Sequence, residues 1–116
     1  PRAHAAAGNL SHGEQRQLEI AMVLATRPKL LLLDEPMAGM GAEESERMVA
    51  TLRSLAGEYT VLLVEHDMDV VFALADRLTV LVYGRVIATG SVDSIRANPE
   101  VRRAYLGDEP IKVRHA

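Results

Sequence analysis

The chain has 116 residues, a formal net charge of −3, and 48% hydrophobic against 25% charged residues, the balance of a globular domain and not of a disordered one. Cysteine is absent, which excludes disulfides, thiolate catalysis and cysteine-based zinc sites. A pI near 5.8 argues against a nucleic-acid footprint over the whole chain, and aromatics at 3% offer few platforms for base stacking.

Residues 1–9 show no useful periodicity and begin without Met, so the chain reads as the continuation of something longer. Ser11 stands three residues before Glu14, the spacing of a capping box, and predicts a helix running to about Arg27. Leu18, Met22 and Ala25 form an apolar stripe that Ile20, Val23 and Leu24 widen, so this helix is expected to pack on several sides. After Pro28, the run Leu30 to Leu33 ends in Asp34 and Glu35 and reads as a strand buried on both faces, as in parallel sheets. Pro36 to Gly41 reads as a loop. A helix is predicted over 42–56, with Glu43, Glu44 and Glu46 near its positive end, Met48, Leu52 and Leu55 on its buried face, and Gly57 beyond it.

Thr60 to Val64 is a second expected buried strand, halted by Glu65, His66 and Asp67. A helix over about 68–75 leads to a third strand, Leu78 to Tyr83, and Gly84-Arg85 turns into a hairpin arm, Val86 to Thr89. Ser91 caps a short helix, Pro99 opens another that reaches Leu106 before Gly107, and Asp108 to Ala116 is expected to be a mobile polar tail. The layout is α/β: three mainly parallel strands with flanking helices, then a C-terminal hairpin and short helices. In such sheets ligands bind beyond the carboxyl ends of the strands, where Asp34-Glu35 and Glu65-His66-Asp67 both fall.

Three motifs have chemistry to offer. Adjacent carboxylates at a strand end can hold Mg²⁺ and polarise a water for attack on phosphorus, or can simply face solvent. Leu10 to Gln15 places a hydroxyl, a glycine and free N–H groups at a helix start, which suits a phosphate and equally suits a plain cap. His66 can contact a phosphate or sit in a surface turn. A phosphate-binding P-loop is absent: Gly8 and Gly13 have the spacing, but Glu14-Gln15 follows where Lys-[Ser/Thr] is needed. Lys29 precedes a strand and Lys112 lies in the tail, so neither lysine replaces it.

In this order, LSHGEQ, LLLLDEP and TVLLVEHD, with an apolar helix after the first and another helix between the last two, resemble the nucleotide-binding subunits of ATP-binding cassette (ABC) transporters. Leu10 to Glu14 matches the signature motif, Leu31 to Glu35 the Walker B motif and His66 the switch histidine; the resemblance covers about residues 8–107. EHDM (Glu65 to Met68), DRLTVLVYGRVIATG (Asp76 to Gly90) and NPEVRRAYLG (Asn98 to Gly107) look like the branched-chain amino acid importers. The resemblance implies that Asp34 binds Mg²⁺, Glu35 is the general base and His66 contacts the γ-phosphate of ATP. It implies further that Ser11, His12, Gly13 and Glu14 serve ATP held by a second ATPase subunit, with Ser11 and Gly13 gripping its γ-phosphate. Transmembrane permease subunits are the implied partners, no nucleic acid is expected, and the expected place is cytoplasmic, peripheral on the inner face of the cell membrane.

The chain departs from the family pattern in three places. His12 and Glu14 replace a glycine and a glutamine of the commonest signature, and Met40-Gly41 stand where Leu-Asp is usual. The elements upstream of the signature, the Walker A motif among them, have no counterpart. Residues 1–107 therefore read as the C-terminal part of an ABC ATPase domain, expected to be inactive in isolation. Two competing readings are an ATPase for another cargo, such as urea or lipopolysaccharide, and a non-catalytic interaction module.

Overall fold

The computed structural model describes Ala6, Gly8 and residues 10–106; the expected tail Asp108–Ala116, Gly107 before it and most of the opening lie outside the described residues. The chain divides into two compact units, one ending at His66 and the other beginning at Asp67.

In the first unit, α1 (His12–Leu24) opens on the expected capping box. Ser11 Oγ accepts from the Glu14 N–H at 3.1 Å, and Glu14 Oε1 accepts from the Ser11 N–H at 3.1 Å. The helix ends three residues earlier than the periodicity suggests. Arg27 adopts a left-handed φ of 54° and donates its N–H to Leu24 O, which breaks the helix ahead of Pro28. β1 (Leu30–Asp34) and β2 (Thr60–Val64) pair in parallel, from Leu30↔Thr60 through Asp34↔Val64. They are joined by α2 (Ala42–Ala56), whose Met48, Leu52 and Leu55 are buried and which packs on α1 and β2. The spacing of those three residues puts them on one helical face, as expected.

The two strands depart from the expected burial. Only one face of the sheet is covered, with Leu31 1% exposed, while Leu30, Leu32, Leu62 and Val64 on the opposite face are 50–66% exposed. Nothing among the described residues packs on that second face, so an apolar run written for two covered faces has one. The apolar flank of α1 is open for the same reason: Ile20 is buried, but Leu18, Met22 and Val23 are exposed.

In the second unit, Asp67 caps α3 (Met68–Leu74), its carboxylate accepting from the Asp69 and Val70 N–H groups. β3 (Leu78–Val82) and β4 (Arg85–Gly90) form an antiparallel hairpin with a bulge after Val80. The third strand thus belongs to a sheet separate from β1–β2, not to a run of three mainly parallel strands. The turn explains the pairing: Tyr83 and Gly84 have φ of 50° and 76°, and positive φ at both central residues marks a type I′ turn that returns a strand on its neighbour. α4 (Val92–Ala97) is capped by Ser91, and α5 (Pro99–Val101) continues as a π-helical turn over Arg102–Leu106. The core here is Leu78, Val80, Ile95 and Val101, ringed by Val71, Phe72, Ile87 and Val92 among others.

Candidate functional site

The carboxyl ends of β1 and β2 form the first cluster. Glu35 follows Asp34 out of the strand in a left-handed conformation, φ 46°, which is uncommon for a non-glycine residue. Its N–H extends the ladder by one bond, donating to Val64 O at 2.8 Å. This twist turns the carboxylate across the strand end, where Glu35 Oε1 pairs with His66 Nδ1. Backbone strain of this kind gathers where a side chain must be aimed.

Glu65 is the third member of the cluster. Its side chain is 3% exposed, against 44% for Glu35 and 79% for His66. Glu65 Oε1 accepts from the His66 N–H at 3.2 Å, while its Oε2 is buried without a hydrogen bond among the described residues. One ligand atom from each of Glu35, Glu65 and His66 lies within 4.8 Å of the others. Asp34, exposed at the end of β1 on the open face of the sheet, stands outside this group.

The second cluster is the start of α1. Here the Gly13 N–H donates to Glu44 Oε2 at 2.9 Å, and the Ser11 hydroxyl reaches the same oxygen at 3.4 Å. A Cβ on residue 13 would collide with that oxygen, so the Glu44 carboxylate could not keep this position over any other residue. An anionic oxygen already sits where the sequence suggests a phosphate, on one hydroxyl, one N–H and the positive end of a helix. Glu14 is engaged in the capping box, and the exposed His12 has its ring beside Gly39.

Two of these residues escaped the sequence reading. Glu65 was visible only as part of a polar stop after a strand. Glu44 was visible only as one of three acids near a helix start, and nothing in the sequence ties it to Gly13, 31 positions away.

The chain has relatives among known proteins along most of its length. Residues 2–38 match a family model described as ABC transporter, and residues 85–110 match one described as branched-chain amino acid ATP-binding cassette transporter. The chain is 44% identical over 108 residues to the high-affinity branched-chain amino acid transport ATP-binding protein BraF of Pseudomonas aeruginosa, covering 91% of this chain and 42% of BraF. The chain belongs to the ABC transporter ATP-binding family. LivG of Escherichia coli K12, named likewise as a branched-chain amino acid transport ATP-binding protein, is 43% identical over 104 residues, 88% of this chain and 41% of LivG.

Solved ABC structures agree with the fold. The ADP conformation of MJ1267, an ATP-binding cassette of an ABC transporter, aligns with a TM-score of 0.76 at 32% identity, covering 89% of this chain and 42% of that one. CbiO1 of Clostridium perfringens, part of the transporter complex cbiONQ, aligns at 0.73 and 32%, covering 94% and 42%. The chain thus spans about 42% of the length of the ABC relatives it matches.

Proposed function

We propose that this chain carries the signature, Walker B and switch-histidine elements of an ABC ATPase that powers import of branched-chain amino acids. The observation that supports this most directly is the pairing of Glu35 with His66 at the ends of two adjoining parallel strands. The start of α1 fits the γ-phosphate of ATP, since Ser11 and Gly13 already hold a carboxylate oxygen. Asp34 offers a hard oxygen suited to Mg²⁺. When bound, ATP brings the phosphoryl group to be transferred and Mg²⁺ draws charge from its oxygens.

The chain's own residues then divide the work. Glu35 orients the attacking water and takes its proton. His66, with Nδ1 turned to Glu35, keeps Nε2 for a phosphate oxygen. Ser11 and Gly13 serve a nucleotide held by a second ATPase subunit, and on this reading Glu44 and that phosphate exclude each other. Permease subunits in the membrane take up the work, with the ATPase peripheral on the cytoplasmic face. No helix among the described residues is long and apolar enough to cross a membrane.

Two measurements test the proposal. An immunoblot against this chain in its own cells is expected to show a protein of at least twice 12.7 kDa, in keeping with the 42% coverage of BraF. The 116 residues alone, having no P-loop lysine, are expected to release no phosphate from ATP. Turnover by the isolated chain that disappears in Glu35→Gln would overturn this expected inactivity.

A further inference from the structure

We infer that Glu65 is a positioning residue for His66: its Oε1 holds the main chain of His66 and aims the imidazole, so that Nδ1 faces Glu35 and Nε2 is left for the phosphate. The inference rests on the reading of His66 given above and adds the residue that aims it. His66 needs such support. Its side chain is 79% exposed and that of its ring partner Glu35 is 44% exposed. A pair between side chains so open to water is weak and does not by itself keep a ring in one orientation.

Glu65 is placed to supply what the exposed pair lacks. Its side chain is 3% exposed, so packing fixes it as it fixes neither Glu35 nor His66. From there Oε1 accepts the His66 N–H at 3.2 Å and lies 4.0 Å from Nδ1 of the same residue. One oxygen thus restrains the backbone of His66 and sets a negative charge near the ring nitrogen that faces Glu35. A neutral imidazole carries its proton on one nitrogen, and carboxylate oxygens beside Nδ1 favour the tautomer protonated there, since a bare Nδ1 lone pair would be repelled. The ladder fixes the frame around them. Asp34↔Val64 is the last rung, and the Glu35 N–H donates to Val64 O at 2.8 Å, so both glutamates leave adjoining strands just past paired positions. Burying a carboxylate is costly, and an apolar side chain would fill the same space with less penalty. Packing alone does not explain a glutamate here; the oxygen turned to His66 does.

The test is the nitrogen NMR spectrum of the His66 ring in the 116-residue chain, assigned by its loss in His66→Ala. It is recorded at about pH 8, where an ordinary imidazole is neutral and the protonated and bare ring nitrogens resonate far apart. The parent is expected to show the Nδ1-protonated tautomer. The separation of the two signals is expected to shrink in Glu65→Gln, which keeps an acceptor for the His66 N–H and loses the charge. It is expected to collapse toward the average in Glu65→Ala, which loses both. Leu52→Ala weakens the core elsewhere and is expected to leave the ring signals as in the parent. A parent-like spectrum in Glu65→Ala would overturn the positioning role while leaving the pairing of Glu35 with His66 intact. An averaged ring in the parent itself would overturn that pairing, and the inference with it. Signals that move equally in Leu52→Ala would mark a general loosening and overturn the inference too. Should Glu65→Ala lose its circular dichroism spectrum, Glu65→Gln decides alone, with a smaller separation supporting the role and a parent-like one overturning it.

Discussion

Glu44 holds two donors with one oxygen at the start of α1. The Gly13 N–H is one of the orphan donors at a helix start, and it finds its partner on another helix. Removing the partner leaves a buried donor unsatisfied, so Glu44→Ala is expected to lower stability by about 1–3 kcal/mol. Glu44→Gln keeps an acceptor and loses the charge, and its effect is expected to be smaller, because a charged hydrogen bond is roughly twice as strong as a neutral one. Urea unfolding of the two variants checks the order. If Ala and Gln are equal to the parent, the oxygen seen at α1 contributes nothing to folding. Ser11 shares that oxygen as well as capping α1, so a Ser11→Ala, Glu44→Ala pair is expected to be non-additive.

Secondary elements respond according to the face they bury. Leu52, 3% exposed in the middle of α2, is expected to cost about 2–5 kcal/mol as Leu52→Ala, read as a lower unfolding midpoint. Tyr83 presents the opposite case. It is 99% exposed and holds φ 50° in the hairpin turn, a conformation asparagine adopts with less penalty. Tyr83→Asn is expected to raise stability by several tenths of a kcal/mol, up to about 1. A loss on this substitution would mean the ring makes a contact that its exposure does not reveal.

The same elements show what was legible in the sequence. α2 and β2 were readable to the residue, because a helical apolar spacing with a glycine stop and an unbroken run before three polar residues are local signals. The capping box was equally local. The hairpin of β3 with β4 was legible too, in Gly84 and Arg85; what was not legible is that β3 lies in a sheet apart from β1 and β2, since an apolar strand looks alike in a parallel sheet and in a hairpin. At the site, Glu35 and His66 were readable as strand-end residues. Their approach depends on the φ of Glu35, and the parts played by Glu44 and Glu65 depend on contacts that cross between elements.

The open sheet face governs how the whole molecule behaves in solution. Leu30, Leu32, Leu62 and Val64 lie side by side by the strand register and are all at least half exposed. A flat apolar face beside unpaired strand edges favours association with further copies. The chain is therefore expected to self-associate with rising concentration in sedimentation velocity. Leu32 and Leu62 are register partners, so Leu32→Lys with Leu62→Glu sets opposite charges across one rung and removes the apolar centre of the face. Because both side chains already face water, the pair is expected to change folding stability by no more than roughly 1 kcal/mol. It is expected to shift the chain toward monomer at the same loading. If the parent chain is monomeric at every concentration, the face does not drive association, and the prediction fails. If the substituted chain associates as before, the contact lies elsewhere, and the exposed flank of α1 at Leu18, Met22 and Val23 becomes the surface to change next.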